Sequence, residues 1–149
     1  MSTAVATALT LNAYLNFDGR CEEALNFYQK ELGAKVTMLM RFKDSPEPAD
    51  PSCGPIQPDK VMHCSFTIGE SVIMASDCNA QGKVKFEGFS LAVAAPDEAT
   101  VRKMFNALAN GGQVCMPLDK TFFSPLFGVV SDKFGVSWMI MVQPQQQNG

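Results

Sequence analysis

Two stretches of the chain carry the same succession of hydrophobic patterns. From Leu11 to Phe17 apolar and polar residues alternate, with Leu11, Ala13, Leu15 and Phe17 on one side and Asn12, Tyr14 and Asn16 on the other, the period of a half-buried strand. Asp18 is placed to cap a helix in which Cys21, Ala24, Leu25, Tyr28 and Leu32 recur at three- and four-residue intervals, and Gly33 stops it. Strand character returns at Lys35 to Phe42. Lys43 to Asp59 is loaded with Pro, Asp and Ser and reads as a long surface loop; strands follow at Lys60 to Ile68 and Ser71 to Ser76, separated by Gly69-Glu70.

After a polar stretch from Asp77 to Lys83 the succession repeats. Phe89, Leu91 and Val93 alternate, Asp97 is a second helix cap, Val101, Met104, Phe105 and Leu108 form an apolar stripe, and Gly111-Gly112 ends it. A short strand near Gln113 to Met116 leads through a loop to strands near Ser124 to Ser131 and Ser137 to Val142, joined by Asp132-Lys133-Phe134-Gly135. The Gln-rich tail is expected to fray. Phe27-Tyr28 and Met104-Phe105 hold corresponding positions, so the repeat is roughly 77 residues long, too long for a solenoid unit.

A duplicated half-domain explains this pattern. The expected fold is α+β, with two βαβββ modules, 8–80 and 84–143, forming cup-shaped mixed sheets within a single domain of residues 1–149. One helix covers one face of each sheet, and the other face is left to curl around a cavity between paired modules. A ferredoxin-like α+β domain built without duplication satisfies the same element order.

Composition narrows the partners. The chain has 149 residues, 46% hydrophobic and 18% charged, enough for a substantial core. A net charge of -3 offers no basic footprint, which excludes nucleic acid as the expected partner. No apolar run approaches the roughly 20 residues of a membrane helix, and Met1 to Thr7 lacks the basic start and apolar centre of a signal peptide, so a cytoplasmic protein without membrane attachment is expected. Cys21, Cys53, Cys64, Cys78 and Cys115 are odd in number and form no CxxC pair, which fits reduced thiols. Cys21 and Cys64 fall on apolar faces, where cysteine acts as a small buried hydrophobe rather than a nucleophile.

Several segments in order resemble the vicinal-oxygen-chelate (glyoxalase, bleomycin-resistance, dioxygenase) superfamily, in its PhnB-like branch, often labelled 3-demethylubiquinone methyltransferase-like. They are YLNFDGRCEEALNFY (Tyr14 to Tyr28), MLMRFKDSPEP (Met38 to Pro48), KVMHCSF (Lys60 to Phe66), MASD (Met74 to Asp77), GFSL (Gly88 to Leu91), KTFFSPLFG (Lys120 to Gly128) and DKFGVSWM (Asp132 to Met139). The resemblance covers almost the whole chain. It implies paired βαβββ modules in a homodimer and a divalent metal held by His, Gln or Glu on the cup-facing side of four strands, acting as a Lewis acid.

Strand alternation places those four positions on Asn12 (or, slid by one residue, Ala13), His63, Gly88 and Met139. Only His63 is a proper ligand, and a protein metal centre ordinarily needs about three. Metal dependence is therefore disfavoured, and the cofactor is left unassigned. On the second module's last strand, Trp138, Ile140 and Val142 should cover the helix.

His63, the sole histidine, and Tyr14 are the candidate catalytic residues. Alternation sets Val61, His63, Ser65 and Thr67 towards the cup, opposite Met62, Cys64, Phe66 and Ile68. Asn12, Asn16, Arg41, Ser65 and Ser90 are candidate substrate-binding groups, with Met139 and Met141 as a soft floor. Arg41 reads more readily as a solvated edge charge, while Met38, Met40, Phe42 and Trp138 read as core. Phe122, Phe123 and Phe127 suggest a lid or dimer contact, and Glu22-Glu23 suit the first turn of a helix. No Gly-rich phosphate or dinucleotide fingerprint occurs. The function expected is a glyoxalase-like protein that binds a small organic molecule, as an isomerase, lyase or dioxygenase if it is catalytic. The alternative is a non-catalytic sequestration protein of the resistance type.

Overall fold

The structure, a computed structural model, describes residues 9–46, 57–77 and 85–143. Its elements are β1 (Ala13–Asn16), α1 (Cys21–Leu32), β2 (Lys35–Arg41), a short 3-10 turn (Phe42–Asp44), β3 (Val61–Ile68), β4 (Ser71–Ser76), β5 (Leu91–Ala95), α2 (Glu98–Ala109), β6 (Gln113–Asp119), β7 (Phe127–Ser131) and β8 (Ser137–Val142). The strands form two four-stranded sheets with matching orders, β1-β4-β3-β2 and β5-β8-β7-β6. In each the first strand runs parallel to the last and the remaining pairs are antiparallel. This is the α+β, twice-repeated βαβββ architecture, and not one ferredoxin-like sheet. The Gln-rich tail, the middle of the Lys43 to Asp59 loop and the polar stretch after Asp77 lie outside the described residues, as do Cys53 and Cys78. Among the described residues no helix is long and apolar enough to cross a membrane.

Contacts divide the chain into two compact units; the first runs to Leu25 and resumes at Ala34, and the second takes Asn26–Gly33 together with the chain from β5 onward. In the first unit, cross-strand rows Leu15–Ala75–Cys64 and Ala13–Ile73–Phe66 occupy one face of the sheet. Leu15, Ala75, Cys64 and Phe66 are buried there, with Cys21, Ala24 and Leu25 of α1 also in the core. Leu11 falls outside β1 and is 93% exposed, so the alternation read from the sequence starts one step later than expected.

The cap of α1 is not the expected one. Asp18 adopts a left-handed φ of 52° beside Gly19 at 90°, a turn rather than an N-cap. The carboxylate that serves α1 is Asp77, at the end of β4, whose Oδ1 accepts from the backbone N–H groups of Gly19 (2.7 Å) and Cys21 (2.9 Å). Its Oδ2 accepts from Val61 N–H (3.0 Å), tying the start of β3 to the start of α1.

In the second unit α2 is capped as expected, Asp97 accepting from Thr100 N–H at 2.7 Å, which holds its carboxyl below the usual range. Val101, Met104, Phe105 and Leu108 are buried, and so are Trp138, Ile140 and Val142, the alternate residues of β8. The C-terminal half of α1 belongs to this unit rather than to the first module. Phe27 and Tyr28 set their rings edge-on to Phe134, and Tyr28 does the same to Trp138. Buried Asp132 accepts from Tyr28 Oη (2.6 Å), Trp138 Nε1 (2.9 Å) and the N–H groups of Phe134 and Val136 (2.9 and 3.0 Å).

The α2 exit needs a bare backbone. A Cβ on Gly112 would overlap the Ser131 carbonyl oxygen and sit 2.9 Å from both Asp132 Cα and Leu108 O, all of them backbone atoms that cannot swing away. Gly112→Ala is therefore expected to lower stability by about 2 to 3 kcal/mol, the upper part of the range for overpacking. Urea denaturation checks it; a loss below about 0.5 kcal/mol would show that the α2–β6 turn relaxes freely.

Candidate functional site

The open face of the first unit's sheet gathers most of the polar residues expected at a site. Register puts Tyr14 level with Met74, Met74 with Ser65, and Ser65 with Met38, while His63 pairs with Met40. Directly paired residues share a face, so Tyr14, Met74, Ser65 and Met38 lie in one row, with His63 and Met40 beside it on the same face. This face is opposite the one bearing Leu15, Ala75 and Cys64, because neighbours along a strand point oppositely.

Tyr14 and His63 form the centre. The phenol reaches across β4 to place its oxygen 2.9 Å from His63 Nδ1, with ring centroids 5.5 Å apart. Burial pushes the Tyr14 phenol above its ordinary pKa, partly opposed by a hydrogen bond with Ser76, so the phenol keeps its proton. Tyr14 is nevertheless 45% exposed and His63 half-buried, which leaves both reachable from solvent. Asn16 flanks them, its Oδ1 accepting from Ser76 Oγ at 3.4 Å.

Other candidates are placed differently. Asn12 precedes β1, and its amide donates to Val72 O at 3.1 Å. Arg41 does not join the His63 face; its guanidinium makes a two-pronged bond to Glu22 on the first turn of α1 (3.1 and 2.6 Å) and donates to Asp59 O (2.8 Å). That pairing holds the Glu22 carboxyl below its usual range. Met38 and Met40, expected in the core, lie on the His63 face instead, with Met38 43% exposed. Val61, expected on that face, is fully buried, and Met62 is only half-buried. The cause is a pairing irregularity between Met40 and Arg41, where Arg41 pairs with Val61 and Met62 is skipped, so the inside–outside order of β3 reverses at its start. Sequence alternation alone carried no mark of this bulge.

Ser90, Met139 and Met141 belong to the second unit. Ser90 Oγ lies 2.7 Å from Ser137 Oγ. Register sets Ala92 with Met139 and Ala94 with Met141, and Val129 and Phe127 pair with the same two methionines, which makes this open face far more apolar than the first unit's. Of the residues in the Phe-rich loop, Phe122 is fully exposed, Phe123 partly so and Phe127 buried, with edge-on contacts along the series.

Cys21 and Cys64 do not form a reactive centre. Both are buried with sulfurs 3.7 Å apart. The hydrogen bond between them pushes the Cys21 thiol far up, with burial adding to it, and lowers Cys64; neither sulfur is exposed. They are core hydrophobes.

The donor set does not fit the divalent metal that the fold family implies. The four positions carry an amide, one imidazole, no side chain and a thioether, and the imidazole Nδ1 is already bonded to a phenol. Among the described residues no three His, Cys, Asp or Glu side chains come together as ligands.

Comparison with known proteins agrees with the fold. The family described as 3-demethylubiquinone-9 3-methyltransferase matches residues 10–141. The crystal structure of protein PA1353 from Pseudomonas aeruginosa is 37% identical, with 93% of this chain and all of that one covered and a TM-score of 0.79. A PhnB protein from Bacillus cereus is 29% identical, covering 90% of this chain and 99% of its own, with a TM-score of 0.73. A glyoxalase-related enzyme from Fulvimarina pelagi shares the fold at 20% identity, with 95% and 96% covered and a TM-score of 0.60. With the fold of glyoxalase-related structures, the chain therefore belongs to the PhnB-like family described as 3-demethylubiquinone-9 3-methyltransferase.

Proposed function

We propose that this glyoxalase-like protein binds a small organic molecule on the open face of β1–β4, anchored by Tyr14 and His63. The observation that carries this reading is the 2.9 Å phenol–imidazole bond on a solvent-reachable sheet face, ringed by Ser65, Asn16 and three methionines, Met38, Met40 and Met74. A bonded Tyr–His pair on an open surface is a preset polar anchor, and thioethers adapt to an apolar ligand body. The catalytic form of the reading is a metal-free isomerase or lyase that moves a proton at the His63–Tyr14 pair. Dioxygenase chemistry is less well supported, because the donor set lacks the ligands such a metal needs. The same shortfall favours the second reading, sequestration without turnover. Methyl transfer, which the family's description names, finds no support in the chain, since no Gly-rich strand-to-helix loop is present for a nucleoside cofactor.

A cytoplasmic homodimer is part of this proposal. The free, buried Cys21 and Cys64 suit a reducing compartment, and a fully exposed Phe122 beside Phe123 suits contact with a second copy.

Thermal unfolding against a panel of small carbonyl and carboxyl compounds tests the site. A ligand at 100 times its dissociation constant should add about 2.7 kcal/mol to wild-type stability. His63→Ala should lose that gain while unfolding within about 1 kcal/mol of wild type, because His63 is half-buried and bonded only to Tyr14 among the described residues. Equal stabilisation of the variant would remove His63 from the site. Product analysis of the bound compound then separates turnover from sequestration.

A further inference from the structure

We propose that Tyr14 fixes His63 as its Nε2–H tautomer, so that the site selects ligands presenting an acceptor-only oxygen, a carboxylate, enolate or carbonyl, on an apolar body. This deepens, and rests on, the reading of the β1–β4 face as the ligand site. A neutral imidazole has one N–H and one lone pair, and whichever nitrogen accepts a hydrogen bond leaves the proton on the other. Tyr14 Oη lies 2.9 Å from Nδ1 and has a proton to give. Burial strengthens the phenol's hold on that proton, yet of the two groups the phenol is the stronger acid and the imidazole nitrogen the stronger base. The phenol therefore donates to Nδ1 across the 2.9 Å contact. Nε2 is left carrying hydrogen, and it has no partner among the described residues.

The neighbours of His63 on this face are Tyr14 and Asn16 from β1, Met74 and Ser76 from β4, Ser65 from β3, and Met38 and Met40 from β2. None carries a formal charge, so nothing among them attracts a cation, and none is seen bonded to the Nε2–H. A free N–H donor among thioethers is matched by an oxygen that can only accept, attached to a body that thioethers can cover. A metal would need the lone pair that this tautomer places on Nδ1, under the phenol. The tautomer thus also accounts for how a family metal position can be kept as histidine and used differently.

His63 is the only histidine, so its ring gives a single set of imidazole signals in tag-free, ¹⁵N-labelled protein. Two-bond ¹H–¹⁵N correlation above neutral pH should show a pyridine-like Nδ1 and a pyrrole-like Nε2 in the wild type, and averaged nitrogens in Tyr14→Phe. A pyrrole-like Nδ1 in the wild type would overturn the proposal while leaving the face available to ligands. Benzoate and benzylammonium, matched in size, then probe the ligand class. Benzoate should shift Nε2 saturably and benzylammonium should not; the reverse order would overturn the acceptor rule. If the tautomer is as stated but neither probe moves His63 or the amides of Tyr14, Ser65 and Met74, the ligand face itself fails.

Discussion

Asp132→Ala is expected to destabilise the protein by about 4 to 5 kcal/mol, a large share of the total stability of a domain this size. The carboxylate is 3% exposed and accepts four hydrogen bonds, two from the backbone of its own turn and two from the Tyr28 phenol and the Trp138 indole. Truncation takes the shared acceptor away from four donors, three of them in buried bonds, and each buried hydrogen bond lost this way costs about 1 to 3 kcal/mol before relaxation. The sum exceeds the expected loss because Phe134 and Lys133 lie on the near surface and the turn can open partway to solvent.

Asp132→Asn separates the two halves of this role. The amide oxygen can still accept from Phe134 and Val136, but its NH2 group faces two donors; the Tyr28 hydroxyl can rotate to accept, whereas the indole N–H cannot. The expected loss is about half that of alanine. Trp138 is the chain's single tryptophan and bonds directly to Asp132, so urea denaturation followed by its fluorescence reads the site and the global transition together. A loss under about 1 kcal/mol for Asp132→Ala would mean that water replaces the carboxylate.

Neither role of Asp132 was visible in the sequence. It stands in Asp-Lys-Phe-Gly between two strands, where a turn aspartate is ordinary, and its distant donor Tyr28 is separated by 104 residues. What was visible was whatever depended on local period or a local stop. The bounds of β4 and β8, the Asp97 cap and the buried stripe of α2 all follow from residues within a few positions of one another. The Tyr14–His63 pair was half legible: alternation put both on one face, but their contact across β4 depends on pairing between strands 49 residues apart.

Strand alternation also explains the misplacements on β2. Along one strand the period fixes that Met38 and Met40 oppose Arg41, and it does not fix which set faces the helix. Met38, Met40 and Phe42 read as core, and Arg41 as a candidate for an anionic group or, more readily, a solvated edge charge. In the structure Glu22 on the first turn of α1 binds Arg41, and the methionines take the open face. Glu22 in the sequence read only as a favourable charge on a helix start. Its second use, as the partner that draws Arg41 to the helix side, needed the fold.

Asp77→Ala should cost about 3 kcal/mol, less than Asp132→Ala, and its damage should be local first. Three backbone N–H groups lose their acceptor, those of Gly19, Cys21 and Val61, and the first of these is only partly buried, so water can serve it. The other two are buried. The start of α1 also loses a negative charge from the position where the helix dipole favours one. Hydrogen exchange should therefore accelerate at Cys21 and Val61 well before it does in α2 or β8, which share no bond with Asp77. His63 lies two residues beyond Val61 on β3, so the Tyr14–His63 bond is the next contact to feel the change. A ligand-induced stabilisation that shrinks in Asp77→Ala while Asp132→Asn keeps it would link the α1 cap to the site. Uniform exchange across both units would instead mean that Asp77 supports the whole fold and has no special hold on the start of β3.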